Sequence, residues 1–188
     1  VRVEFENNMI KKNPFNNDWL NEVYSIGHRN PQGLIIDKMT NKIWSHEHGP
    51  QGGDEINLIE AGGNYGWPKA TYGEEYGGGK IGEISIDGFI DPKWVWTPSI
   101  APSGMALYNG NMFPELNNHL LIGALRAQNI YAVEIDDEIL ISEKKILQDV
   151  YGRIRDIEVM DDGSIIFLTD EEKDGIYKGG LYKIFKSE

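Results

Sequence analysis

Apolar positions along this chain come in short runs or alternate with polar ones, and Gly, Asn, Asp or Pro interrupts them every few residues. That pattern predicts strands and tight turns. One stretch departs from it. Residues 16–26 open on Asn16-Asn17-Asp18 ahead of Trp19 and Leu20, which predicts a short helical turn capped by Asn or Asp.

A strand, a turn and a second strand then recur three times. Residues 31–37 lead through Thr40-Asn41 to a strand at 43–47; residues 102–108 lead through Asn109-Gly110-Asn111 to 120–124; residues 155–160 lead through Asp161-Asp162-Gly163 to 165–170. Asp162-Gly163 between two apolar runs is the strongest of these turn signals. Units of this kind recurring at roughly 40–50 residues or more mark propeller blades. The uneven spacing implies long insertions, notably the Gly-, Pro- and Tyr-rich stretch 61–82; a sandwich built from similar hairpins has the same periodicity.

Composition narrows the picture. A chain of 188 residues, 40% hydrophobic and 26% charged, is ordinary globular material for one domain, here taken as 1–188. Gly at 22 residues, with 9 Tyr and 5 Trp, favours turn-rich β structure. A formal net charge of −12 argues against nucleic acid and anionic membrane as partners. With no Cys, disulfides, thiolate catalysis and Cys-based zinc sites are excluded. No apolar run approaches the roughly 18–20 residues that span a bilayer. Val1-Arg2-Val3-Glu4-Phe5 lacks the features of a signal peptide and reads like the middle of a protein.

Four motifs could carry chemistry. Gly27-His28-Arg29-Asn30-Pro31-Gln32-Gly33 packs planar donors onto a tightly bent backbone, suited to a carboxylate or carbonyl oxygen, or to capping its own loop. His46-Glu47-His48 could put two rings on one strand face for a transition metal, whereas the following Asp54, Glu55 and Asn57 suit a hard cation or a solvated loop. Asn64-Tyr65-Gly66-Trp67-Pro68 offers an aromatic platform or a loop anchor. Arg153 and Arg155, at i and i+2, point the same way in a strand; they would grip a polyanion or pair with acids such as Asp156 and Glu158.

Taken in order, these motifs resemble the signature of the soluble glucose/sorbosone dehydrogenase family, in its aldose sugar dehydrogenase branch. The similarity continues through residues 99–105, 122–126, 153–156 and 168–171 and covers the chain from about residue 25 onward. It implies an all-β fold, about three blades of a six-bladed β-propeller, corresponding to the family's C-terminal half. It also implies pyrroloquinoline quinone (PQQ), a tricarboxylate ortho-quinone, as cofactor. Arg29 and Asn30 match the pair on the quinone side, with Arg29 supporting catalysis by polarising the reacting carbonyl. Tyr76, Ala124, Leu125, Arg126, Arg153, Ile154 and Arg155 match further cofactor positions; relatives commonly carry Lys where this chain has Arg126. The carbonyls of Gly49 and Pro50 match the calcium site on the quinone, and the Glu55 carboxylate and Tyr65 carbonyl a second, structural calcium.

The reaction so implied is hydride transfer from C1 of an aldose to the quinone, with calcium as Lewis acid and an artificial or respiratory electron acceptor. The family's catalytic His belongs to its N-terminal half, so His28, His46, His48 and His119 are not assigned as base. By itself the chain is expected to be incompetent or very poor in catalysis. The alternatives are a non-catalytic partial propeller binding calcium, cofactor or sugar, or a half that needs its complement or a homo-oligomer to close the ring. Resemblance also implies a periplasmic or secreted protein.

Overall fold

The structure, a computed structural model, describes residues 5–6, 9–10, 14–15, 19–148, 151–173 and 175–187. Two short strands, β1 (Phe5–Glu6) and β2 (Met9–Ile10), pair with each other. Three larger antiparallel sheets follow, each built from strands that are consecutive in sequence. The first holds β3 (Pro31–Ile36), β4 (Ile43–Glu47), β5 (Asp54–Ile59) and β6 (Trp94–Trp96). The second holds β7 (Pro102–Tyr108), β8 (His119–Ala124), β9 (Asn129–Asp136) and β10 (Ile139–Gln148). The third holds β11 (Arg153–Val159), β12 (Ile165–Lys173) and β13 (Ile176–Ile184).

All three repeated hairpins are thus present, each as the first two strands of a sheet. Their turns follow local chemistry. In the β3–β4 turn, Asp37 accepts from the Met39 N–H and the Thr40 hydroxyl, and Asn41 adopts φ 58°. In the β11–β12 turn, Asp162 accepts from the Ser164 N–H, and Gly163 supplies φ 80°. The insertion after β5 lies inside the first sheet and returns through β6. The helical turn expected at 16–26 does not form in its described part: residues 21–22 make a turn and Ile26 bridges Asn64, while Asn16, Asn17 and Asp18 lie outside the described residues. Pairing with the 61–66 loop takes the backbone groups a helix would use: the Gly62 N–H donates to the Tyr24 carbonyl, the Ile26 N–H to the Gly63 carbonyl and the Tyr65 N–H to the Ile26 carbonyl.

The first strands of the sheets pack in series, β3 on β7 and β7 on β11. Period-2 alternation makes the second sheet the shared layer. On β8 and β9, Leu120, Ile122, Tyr131 and Val133 join Trp44, Ile56 and Trp96 of the first sheet. Leu121, Ile130 and Ala132 point the other way, into a cluster with Ile154, Ile157 and Phe167 of the third. The two flanking sheets therefore each keep one open face. Leu34, 66% exposed, and Ile36 mark it on the first; the cross-strand pair Leu168 and Leu181, the latter 68% exposed, marks it on the third.

Close approach of β7 to β11 depends on Gly104, where a Cβ would lie 2.3 Å from Asp156 Oδ1 and 2.5 Å from its Cα. On the other side of β7, His46 lies fully buried against Gly33, with no hydrogen-bond partner at either ring nitrogen among the described residues. Burial, and then the neighbouring His48, hold its imidazole down at about 4; the nearby Ser103 and Gly104 backbone opposes this only in part.

Two outcomes follow. Gly104→Ala should cost about 1–3 kcal/mol in chemical denaturation, because a backbone neighbour cannot move aside. For His46 the folded pKa lies below the ordinary value of 6.5, so the unfolded chain binds the extra proton first and stability falls as pH drops from 6.5 to about 4. Its share of the slope is at most about 1.4 kcal/mol per pH unit; His46→Leu should flatten that part of the melting-temperature profile relative to wild type.

Candidate functional site

Three cross-strand pairs define one end of the molecule: Pro31 with Glu47, Pro102 with Ala124, and Arg153 with Asp170. Each joins the start of a sheet's first strand to its second strand. Residues flanking these pairs are therefore delivered to the same end: Arg29 and Asn30, Gly49 and Pro50, Leu125 and Arg126, and Arg153 with Arg155. Two bonds lace the sheets together there. His48 Nε2 lies 2.6 Å from the Pro102 carbonyl, and the Ser103 hydroxyl donates to the Ile154 carbonyl at 2.6 Å.

The Arg29 turn hangs on a buried carboxylate. Glu47 Oε2 accepts the backbone N–H groups of Arg29 (2.5 Å) and Asn30 (3.1 Å). Glu47 Oε1 lies 3.1 Å from His28 Nδ1 and accepts from Asn57 Nδ2 at 3.2 Å. With its backbone fixed, Arg29 sends Nη1 to the carbonyls of His48 and Gly49, both at 3.0 Å, and lays its guanidinium over Trp67 at 5.3 Å. The aromatic platform of the 64–68 motif thus carries an arginine, and His28 stacks on Tyr65 with centroids 4.6 Å apart. Asn30 is exposed and its side-chain carbonyl accepts from Gln32 at 2.8 Å.

Beneath Arg29 lies a small cavity lined by Glu47, Glu55, Tyr65, Gly49 and Gly53, with room for about one water-sized occupant. Glu55 faces Glu47 across β4 and β5. Burial first, and then the Glu47 charge, push Glu55 up to about 8, with the Asn57 amide opposing. No lysine or arginine among the described residues forms an ion pair with Glu55. A desolvated carboxylate beside a second carboxylate, at a void of that size, fits a hard cation held by oxygen atoms. The Tyr65 ring is spent elsewhere, its hydroxyl donating to the Leu58 carbonyl at 2.6 Å, so only its backbone remains for a metal. The Gly49 carbonyl already accepts one bond from Arg29 and keeps its other lone pair.

Other expectations meet a different arrangement. Asp54 is no cation ligand: it is fully buried and its oxygens accept four protein donors. His46 and His48 do not make a metal pair, since His46 is sealed between sheets and His48 serves Pro102; no group of three or more His, Cys, Asp or Glu ligands occurs among the described residues. Arg153 and Arg155 do point the same way, but the acid that receives them is Asp170 on β12, with Nε contacts of 3.5 and 2.5 Å. Asp156 faces Gly104 instead. Both arginines stay about half exposed, at 46% and 47%. Ile154 and Ala124 are buried in the cores and offer a ligand only backbone, Arg126 is exposed, and Tyr76 is 74% exposed in a turn at 75–79. The anchoring roles of Glu47 and Asp54 have no sequence signal, because an acid at a strand end beside a Gly-rich loop has the same letter whether solvated or buried.

Consecutive antiparallel sheets packed first strand to first strand, with a polar, arginine-bearing end, define a propeller-type fold. The profile of the Glucose / Sorbosone dehydrogenase family matches residues 1–178, and the chain belongs to that family. It is 42% identical over 161 residues to the aldose sugar dehydrogenase YliI of Escherichia coli (strain K12), covering 84% of this chain and 43% of the relative. A crystal structure of glucose dehydrogenase superposes with a TM-score of 0.85 at 40% identity, over 93% of this chain and 51% of that one. The PQQ-bound aldose sugar dehydrogenase of Streptomyces coelicolor superposes at 0.66 with 28% identity, over 88% and 47%. The chain thus spans about half the length of these relatives, and its sheets are about three blades of a six-bladed β-propeller. No helix among the described residues is long and apolar enough to cross a membrane.

Proposed function

We propose that this chain is the cofactor-holding half of a periplasmic quinoprotein that oxidises aldoses at C1. The reading is carried by one observation: Arg29, Arg126, Arg153 and Arg155, four of the five arginines in a chain of net charge −12, lie at the same end of three sheets. Like charges gathered there are offset by a polycarboxylate ligand. Bound PQQ would supply the two-electron acceptor that the side chains lack. Arg29, held by Glu47 and Trp67, presents a fixed guanidinium to the quinone side. Asn30 lies beside it, with Tyr76 and the Ala124–Arg126 segment as further contacts. Arg153 and Arg155 would exchange part of their pairing with Asp170 for ligand carboxylates, with Ile154 contributing backbone. Glu55 with the Tyr65 carbonyl would hold one calcium, and the Gly49 and Pro50 carbonyls a second at the cofactor. Electrons would leave to a respiratory or artificial acceptor.

A second reading is favoured by the open faces at Leu34 and Ile36 and at Leu168 and Leu181. On it, the chain binds calcium or cofactor without turnover until a complementary half, or another copy, covers those faces.

Calcium titration separates the metal assignment: at about a hundredfold over its dissociation constant, calcium should add about 2.7 kcal/mol of stability, and Glu55→Gln should abolish the gain. A melting temperature indifferent to calcium removes Glu55 and Tyr65 as ligands. Reversing both charges, Arg153→Glu with Arg155→Glu, should weaken cofactor retention at least about a hundredfold; unchanged retention removes the carboxylate grip. In a dye-linked aldose assay, turnover by the pure chain would show that it carries its own base, and turnover only after adding the complementary half supports the second reading.

A further inference from the structure

We infer that Asp54 is a positioning residue that couples the metal-facing turn of the first sheet to the cofactor-facing turn of the second. The inference rests on the function proposed above and assigns to this carboxylate a task distinct from ligation.

Asp54 opens β5 with its side chain wholly buried. Its Oδ1 accepts the Gly49 N–H at 3.0 Å and the Ser99 hydroxyl at 2.5 Å. Its Oδ2 accepts the N–H groups of Ile100 and Ala101, both at 2.8 Å. Two carboxylate oxygens offer about four acceptor positions, and all are used. Among the described residues no lysine, arginine or histidine forms an ion pair with Asp54; protein N–H and O–H groups meet its oxygens, an arrangement that tolerates little displacement of any donor.

Each donor belongs to a segment that carries site residues. On the first sheet, the Gly49 bond holds the turn whose His48 and Gly49 carbonyls receive Arg29. On the second, Ala101 adopts φ 55°, a left-handed backbone that a residue with a Cβ rarely takes. The Asp54 bond secures it there. The carbonyls of that same pair then face the next turn: Ile100 accepts from the N–H groups of Arg126 (3.1 Å) and Ala127 (3.2 Å), and Ala101 from Leu125 (2.8 Å). Arg29 and Arg126, on separate sheets, are thus each one turn removed from a single carboxylate. A displacement at Asp54 moves both guanidinium groups relative to each other, which is the distance a ligand bridging them must match.

The test measures PQQ affinity by titration at saturating calcium, alongside amide hydrogen exchange. Asp54→Asn keeps the shape but turns an NH2 toward N–H donors, and should weaken PQQ binding about tenfold or more. Exchange should accelerate at Ile100, Ala101, Leu125 and Arg126 while β12 and β13 keep their protection. A folded Asp54→Asn chain that binds PQQ within twofold of wild type overturns the inference. Should that variant fail to fold, Ser99→Ala removes one of the four bonds; it should weaken binding about two- to fivefold, and Ser99→Thr, which restores the hydroxyl, should recover it. Equal affinity in all three Ser99 forms overturns the inference too. Wild type that binds no PQQ sinks the cofactor assignment instead; faster exchange at Leu125 and Arg126 in Ser99→Ala then still supports the coupling of the two turns, and unchanged exchange there defeats it.

Discussion

Serial packing of β3, β7 and β11 governs everything else in this molecule. β7 meets β11 where Gly104 admits no larger residue against the Asp156 backbone, while on β3 Gly33 leaves room for the ring of its β4 partner His46, which lies near the Ser103 and Gly104 backbone of β7. Because the first strands of successive sheets are neighbours, and the His48–Pro102 and Ser103–Ile154 bonds tie their starts together, the entry ends are brought to one edge. Loops of unrelated sequence, at 27–30, 48–53, 99–101 and 124–127, meet there although up to about a hundred residues separate them along the chain. Packing density in the two cores makes that edge stiff, since the middle sheet is gripped on both faces.

Stiffness at the edge is completed by buried acids. Glu47 and Asp54 spend their oxygens on backbone N–H groups of the very turns that carry Arg29, Gly49 and Ala101. Such carboxylates do for loops what ladder bonds do for strands, and they work because low-dielectric surroundings strengthen each N–H···O contact. Glu55, next to Asp54 and paired with Glu47 across the strands, has no such set of donors among the described residues, only Asn57 Nδ2 at 3.5 Å. Its carboxyl is raised to about 8, and it faces a void sized for one occupant. The contrast between saturated and unsaturated acids in one small region separates scaffold from candidate ligand better than charge counting does.

Membership of the glucose/sorbosone dehydrogenase family, together with a span of about half of its relatives, gives the open faces at Leu34 and Leu181 a physical meaning. A closed ring covers both faces of every sheet; here two faces bear leucines at exposures a finished core does not leave. The arginine-bearing end and the open faces are consequences of one geometry, since both follow from sheets packed in series through their first strands.

Much of this was legible in the letters alone. Alternation and Asp-Gly, Thr-Asn and Asn-Gly turns fixed the three hairpins, because strand period and turn chemistry are local properties. The spacing of Arg153 and Arg155 correctly put both on one strand face, and the ordered motifs identified the family. Tertiary structure alone decided the partners. It chose Asp170 over Asp156 for the two arginines, sealed His46 between sheets, gave Trp67 to Arg29, and turned Asp54 from a plausible cation ligand into a saturated anchor. The reason is that burial and hydrogen-bond partners come from segments distant in sequence, and an acid or a histidine has no local signature of which neighbours the folded chain will bring to it.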